Sequence, residues 1–496
     1  MMAENKPMPR TEEEKILFDM WREVLGRDDF GIDDDFFGLG GTSLTALDII
    51  SRLSDRYSID LRQVFEEATI RSIAATMVYS PEWAEDKLKV IFQKHEKIRP
   101  DKDELRAYRK KMRKDKAVRR DTPAYSTILI LGATGFLGAY LLRELLDKTD
   151  CRLIAITRAE NDSSAARRIN DMQLFYFGTL SENSGRLTCF AGDLTREHLG
   201  LSEEKYTYIA DNAEAVLNSA AMVKHMGRSS DFSSVNTGML RSLVTLANTG
   251  RKKAVHHISS IGILYGDQTD SRRTTFTEYD LDIGQRLDNN YLISKLGAEK
   301  LLLSSDAECS IYRVDGVMFD SIRGTFQKNM NESSAYIFLR ALDTLRFLPD
   351  VGEYRVRISM VDEIASAVVR LMLYGECSRQ VYHVIHPKEI RFSSLLGKLV
   401  KEKNFRRMDA EEICRYYREN TDKDDIRSAF GEILLNCEIF ESIMKNRCSI
   451  RCEKTVRALR KTGFRWKRIR RKHIEQAYSY VRKTDFLNTK GSNEDV

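Results

Sequence analysis

The sequence predicts an α/β chain: a small four-helix domain, a charged linker, and a doubly wound parallel sheet with a mostly helical C-terminal part. Three observations predict it. From residue 127 onward, short β-branched runs alternate with helical stretches. A glycine-rich turn joins the first of those runs to an amphipathic helix. Near residue 390 the strand-like runs stop, and helical, basic sequence takes over. Such alternation places helices on both faces of parallel strands.

The first element is "TEEEKILFDMWREVL", which sets Ile16, Leu17, Trp21, Val24 and Leu25 on one helical face behind Thr11 as N-cap. An acidic, aromatic stretch from Asp33 to Phe37 leads into "GLGGTSLTAL". There Ser43 follows two glycines and opens a helix with Leu44, Leu47, Ile50 and Leu53 at helical spacing. "SIDLRQVFEEATIRSIAATM" adds a turn segment and another helix with Ile70, Ile73 and Met77. These elements form a domain over residues 1–80. Residues 81–124 are charged, hold Pro81, Pro100 and Pro123, and read as a linker. Nine of the fifteen residues from Arg106 to Arg120 are Lys or Arg, with Tyr108 the one aromatic among them. That pattern suits a solvated helix better than a nucleic-acid surface.

The third domain, residues 125–485, opens on "TILIL" and continues through strand-like "RLIAIT", "LTCFAGD", "AEAVLNSAA" and "AVHHISS". After the first strand, "GATGFLG" spaces Gly132, Gly135 and Gly138 three apart, with Thr134, Phe136 and Leu137 between them. The first glycine makes the sharp turn, the second lets backbone amides approach a pyrophosphate, and the third packs helix on strand. This is a Rossmann-type dinucleotide site. Where an NAD site offers an acid to the ribose, this chain has Arg158, with Arg168 further on. Guanidinium groups there suit a 2′-phosphate, so NADPH is expected as cofactor. Asp193 and Leu194 are placed to flank the adenine, and Ser219, Ala220 and Ala221 to line the cofactor with small side chains.

"YLISK" puts Tyr291 and Lys295 four apart on one helical face. A phenol is a weak acid at neutral pH unless a cation stands beside it, and Lys295 is expected to supply that field. Ser259 and Ser260 end a strand upstream, where a hydroxyl can hold a carbonyl oxygen beside the phenol. His256 and His257 sit in the strand-like "AVHHISS" and read as packed residues, and His383 and His386, near "VYHVIHP", are read the same way.

Bulk properties bound the rest. At 496 residues, 42% hydrophobic and 31% charged, the chain has room for about three soluble domains. Eight cysteines in this length form no disulfide framework, and the spacing of Cys448 and Cys452 without a second pair argues against zinc. No apolar run approaches the ~20 residues that span a bilayer, so a cytoplasmic protein without membrane contact is expected.

Taken together, GATGFLG, Ser260 and the Tyr291/Lys295 pair resemble the extended short-chain dehydrogenase/reductases. "TRAEN", "VNTGML", "IYRVDG" and "MVDEIA" resemble, more narrowly, their thioester reductase branch, the terminal reductase domains of nonribosomal peptide and polyketide synthetases. "FFGLGGTSLTAL" resembles the phosphopantetheine site of a peptidyl carrier protein. The resemblance implies a carrier domain at 1–80 with phosphopantetheine on Ser43. It further implies a reductase with a Rossmann core about 125–388 and a helical substrate subdomain mainly over 389–485. In that family Ser260 and Tyr291 would polarise the thioester carbonyl, and Lys295 would anchor the nicotinamide ribose. The product would be an aldehyde, carried on to an alcohol in some members. Implied partners are a phosphopantetheinyl transferase and adenylation or condensation modules, or a separate loading enzyme, since the chain holds neither module. A small-molecule dehydrogenase or epimerase of the same superfamily, and a non-catalytic acyl-carrier scaffold, are the alternatives. The chain departs from the family at Thr42, where carriers usually have His or Asp, and at Val314 and Asp315, where Pro-Gly is usual. Phe319 stands where glycine is common. It is expected to narrow the pocket and favour release at the aldehyde.

Overall fold

The computed structural model describes residues 6–486 except 60–63, 65–66, 116–119, 221–237, 267–272, 288, 376, 400–404 and 485. In the N-terminal part, the described residues form helices α1 (Glu12–Leu25), α2 (Ser43–Leu53) and α3 (Ile70–Thr76). Thr11 and Glu14 close a capping box that satisfies the first amides of α1. Leu17 and Trp21 of α1 are buried, and the Trp21 ring lies 4.9 Å from that of Phe36. The acidic stretch therefore folds back onto α1 through the buried Phe36 ring. A two-residue antiparallel pairing, Tyr57–Ser58 with Val78–Tyr79, closes the unit.

The segment after it holds two helices, α4 (Trp83–Ile91) and α5 (Lys102–Lys114). On α4, Ala84, Leu88 and Ile91 are buried. On the basic α5 only Tyr108 is, and its hydroxyl donates to Glu278 at 2.8 Å.

Seven strands form the central sheet: β1 (Thr127–Leu131), β2 (Arg152–Thr157), β3 (Leu187–Ala191), β4 (Ala215–Asn218), β5 (Ala254–Ser260), β6 (Cys309–Val314) and β7 (Gln380–Val384). They lie in the order β3-β2-β1-β4-β5-β6-β7, all parallel. Strand order reverses between β1 and β4, the switch point where open α/β sheets bind ligands. One face is covered by α6 (Phe136–Lys148) and the helix Val361–Tyr374, the other by helices that include α7 (Met239–Asn248) and α8 (Asn290–Ser304). Burial on both faces explains why β1 is apolar at every position after Thr127.

The structure differs from the sequence expectation in three places. "AEAVLNSAA" is a strand only over Ala215–Asn218, because Asn218 turns its amide onto His257 and the backbone of Ala220. Strands β6 and β7 were not anticipated, since "CSIYRV" and "QVYHV" carry buried Arg313 and His383 in their middles. Strands also continue past residue 390, as Ile390–Arg391, Arg406–Met408 and Ser449–Ile450. Runs of two or three residues leave no periodic signal.

The helices beyond this sheet, α9 (Ala410–Asn420), α10 (Asp424–Leu435) and α11 (Cys437–Lys445), share one core with the N-terminal domain. Ile50, Leu53 and Leu88 belong to it together with Phe347, Phe430 and Ile433. Polar contacts stitch its edge. Ser51 donates to the Arg427 carbonyl at 3.0 Å, Tyr417 donates to Asp55 at 2.5 Å, and Lys87 pairs with Glu441 at 2.7 Å.

Candidate active site

At the end of β1, Gly132 has φ +79°, and a Cβ there would come within 2.6 Å of the Ala220 amide nitrogen. A Cβ on Gly138 would collide with the Gly132 carbonyl. Both positions require glycine for packing. Gly135 is different. Its Cβ would meet only the Gly132 oxygen, at 3.3 Å, with nothing else within reach. It caps α6 with no side-chain hydrogen bond, so the first-turn amides are left for a ligand. The space that a side chain would fill is the space a pyrophosphate needs, and the residues present fit a dinucleotide.

A cavity of about 2190 Å³ opens from this turn. Gly132, Thr134, Gly135, Phe136, Leu137 and Gly138 line its floor. Arg158, Asp193, Leu194, Ser219 and Ala220 line the wall beside it, while Ala221 falls outside the described residues. The Asp193 carboxyl is held below the usual carboxylate range, chiefly by the Thr195 hydroxyl at 2.7 Å. Arg168 lies off the wall. Its guanidinium donates to the Arg158 carbonyl, which makes it a brace for the loop that presents Arg158.

Ser260, Tyr291 and Lys295 line the same cavity. Asn289 caps α8 through the Leu292 amide, which fixes the first turn and with it Tyr291. The Ser260 side chain is hydrogen-bonded to Tyr291 and accepts from the Gly262 amide at 3.0 Å. Burial pushes the Tyr291 phenol up to about 12, opposed by the Ser260 hydrogen bond. The expectation that Lys295 pulls this phenol down is not met. The Lys295 ammonium lies 5.8 Å from the ring centroid and donates to the Ile258 carbonyl at 3.0 Å. A phenol so placed stays protonated at neutral pH, which is the form a proton donor needs. Lys295 itself is brought down to about 8 by burial, with Glu299 opposing.

Behind these residues lies a set that the sequence reading missed. Glu299, four residues after Lys295, accepts from Ser259 at 2.5 Å and from Arg313 at 2.7 Å. Both charged side chains are fully buried. The pair ties α8 to β5 and β6, so the spacing between Tyr291 and Ser260 is held from behind. An acid four residues beyond Lys295 and an arginine inside a strand were the available signals. All four predicted packed histidines are buried. His256 bonds to Tyr312 at 2.8 Å, His257 to Asn218 at 3.1 Å, His383 to Arg313 at 3.1 Å, and His386 to the Lys388 carbonyl at 3.1 Å.

At the other candidate site, the cap of α2 is Thr42, whose hydroxyl accepts from the Thr45 amide at 3.2 Å. Ser43 is the first helical residue, one position inside the cap. The departure at Thr42 therefore has a structural use, since threonine is a good N-cap.

Residues 15–77 match the family described as phosphopantetheine attachment site, and residues 130–368 match an NAD-binding family described as male sterility protein. The chain joins a phosphopantetheine carrier domain to a male-sterility-type NAD-binding domain. Nonribosomal peptide synthetase asaC of Aspergillus flavus is 26% identical over 385 residues, 74% of this chain and 36% of that protein. Carboxylic acid reductase of Mycobacterium tuberculosis is 30% identical over 294 residues, 53% of this chain and 24% of that protein. The chain thus spans about a third or less of these relatives. Among solved structures, a thiolation-reductase di-domain from an archaeal non-ribosomal peptide synthetase superposes with TM-score 0.78 at 22% identity, covering 97% of this chain and 100% of that one. The terminal R domain of the myxalamid pathway gives 0.64 at 23% identity over 77% of this chain and 99% of that one. The fold of both domains, in the same order, is shared with the first.

Beyond the Ser260, Tyr291 and Lys295 cluster, the cavity continues past Asp315, Tyr265, Arg357 and Tyr354 to residues 90–99, the segment that follows the attachment-site region. Phe319 does not narrow it. That ring is buried against Ile358, Met360 and Ile474 and lies off the cavity wall. Position 319 therefore says nothing about where reduction stops. Among the described residues no helix is long and apolar enough to cross a membrane.

Proposed function

We propose that the chain releases an acyl or peptidyl group from its carrier domain by reducing the thioester to an aldehyde. One observation carries this. A single cavity joins the glycine turn, the Ser260/Tyr291/Lys295 cluster and the segment directly after the carrier domain. Ser43, inside the matched attachment region, would hold the phosphopantetheine arm as a thioester of the acyl group. The amides at Gly135–Leu137 would hold the pyrophosphate, and Arg158 the 2′-phosphate. NADPH, when bound there, supplies the hydride. Ser260 and Tyr291 donate hydrogen bonds to the thioester carbonyl, and Tyr291 gives its proton to that oxygen as charge develops. Lys295, charged below pH about 8, holds the ribose hydroxyls beside the phenol. One thioester, one hydride and one proton thus become one aldehyde and one thiol. A phosphopantetheinyl transferase must modify Ser43 first, and an adenylation or condensation module, or a separate enzyme, must load it. The fused carrier domain favours this over a free small-molecule substrate, and the hydrogen-bonded Ser260/Tyr291 pair favours it over a scaffold without activity.

The test is single turnover with a loaded carrier and excess NADPH. One NADPH oxidised per carrier, with aldehyde trapped by a hydroxylamine, is the expected result. Two NADPH with alcohol as product would move the end point but keep the chemistry, and no oxidation would overturn it.

Arg158→Ala checks the cofactor. A charge-assisted contact to the 2′-phosphate contributes about 1.5–3 kcal/mol, so NADPH should bind roughly tenfold to over a hundredfold more weakly. NADH affinity should hardly change. Equal loss for both cofactors in a fluorescence titration would show that Arg158 does not read the phosphate.

A further inference from the structure

We infer that the cavity selects an acyl group bearing an amino group close to the thioester carbonyl, with the Asp315 carboxylate as its counter-ion. The inference rests on the thioester reduction proposed above. Val314 is the register partner of Ser260 across β6 and β5. Neighbouring strands lie about 4.8 Å apart, so Asp315, one residue further on, stands beside the place where the carbonyl would be held. Asp315 lines the cavity and accepts from the Gly316 amide at 2.8 Å. Among the described residues it has no ion-pair partner. Desolvation raises the Asp315 carboxyl above the usual carboxylate range, opposed by Arg357 and the Gly316 amide, while Glu389 adds to the rise. Arg357 is already committed, to Glu389 at 2.5 Å and to the Ile450 carbonyl at 3.0 Å. Arg357 thus answers Glu389, and Asp315, half-buried on the cavity wall, is left without a paired cation.

Partial desolvation makes the charged form of this carboxyl costlier, so a ligand that brings a cation regains that cost on binding. Tyr265 and Tyr354 add their rings to the same stretch of wall, and the Asp315 charge reaches both, raising their phenols beyond what burial does. Aromatic faces with a carboxylate are a recognition set for an ammonium group. An amino group on the first or second carbon from the carbonyl is the substituent that reaches it while the oxygen stays at Ser260 and Tyr291.

Binding tests this apart from catalysis. Three unreactive acyl-pantetheine amides of equal length, one with an α-amino group, one without it and one with a carboxylate in its place, are titrated into the protein by calorimetry without NADPH. The amino ligand should bind at least about tenfold more tightly than the plain one, and Asp315→Asn should reduce that ratio to near unity. A smaller preference in the wild type overturns the inference without recourse to the variant. So does tighter binding of the carboxylate, the outcome open to Arg357, whose Nε has no partner. The corresponding thioesters are then assayed for NADPH oxidation. Selective binding with no oxidation of any thioester would refute the reduction and leave the amine site standing. Oxidation without selectivity would do the reverse.

Discussion

Tyr291→Phe should lower the single-turnover rate of thioester reduction by roughly 10²–10⁴-fold, the usual worth of a positioned proton donor. The substitution removes one oxygen and keeps the ring, so packing at the start of α8 is unchanged. NADPH affinity should stay within about twofold, because the phenol would act on the substrate oxygen and a small change in a neighbouring hydrogen bond is worth only tenths of a kcal/mol. Lys295→Ala is the contrast. It should weaken both binding and rate, since the ammonium is the group that would reach the ribose and it is 3% exposed. A Tyr291→Phe protein with most of its turnover would remove the acid from the mechanism. Ser260, hydrogen-bonded to the phenol, would then be the group to test as carbonyl ligand.

Ser43→Ala should abolish modification altogether: coenzyme A and a broad-specificity transferase should add one arm to the wild type and none to the variant, as read by intact-protein mass spectrometry. Carrier-dependent turnover should vanish with it. The helix itself should survive. The cap hydrogen bond belongs to Thr42, so replacing the next residue by alanine, a better helix former, should change stability by no more than about 0.5 kcal/mol. Labelling of the variant equal to that of wild type would place the arm elsewhere or remove it. The same experiment bears on access, because α2 is packed on α10 through Ser51 and the Arg427 carbonyl.

What the sequence determined by itself was local. Three glycines at a fixed spacing after "TILIL" have one economical conformation, and the structure shows two of them with no room for a Cβ. Tyr291 and Lys295, four apart, had to share a helical face, and the first covered strand had to be apolar throughout. Spacing along a chain encodes such features directly. What only the tertiary structure decided was which distant segments meet. The Glu299–Arg313 pair joins a helix to a strand across a loop, and Arg313 breaks the apolar run that would have marked that strand. Phe319, judged from its position beside the cofactor loop, turned into the core because Ile358 and Met360 offered it an apolar surface. Asp315 lay in plain view as a departure from a familiar pattern, but its charge gained meaning only when Arg357 was seen to pair with Glu389. Residues 90–99 looked like part of a charged linker until the fold set them on the wall of the cavity. Periodicity reports the face on which a residue lies; the partner on that face is chosen by packing between segments far apart in sequence, and no local pattern records it.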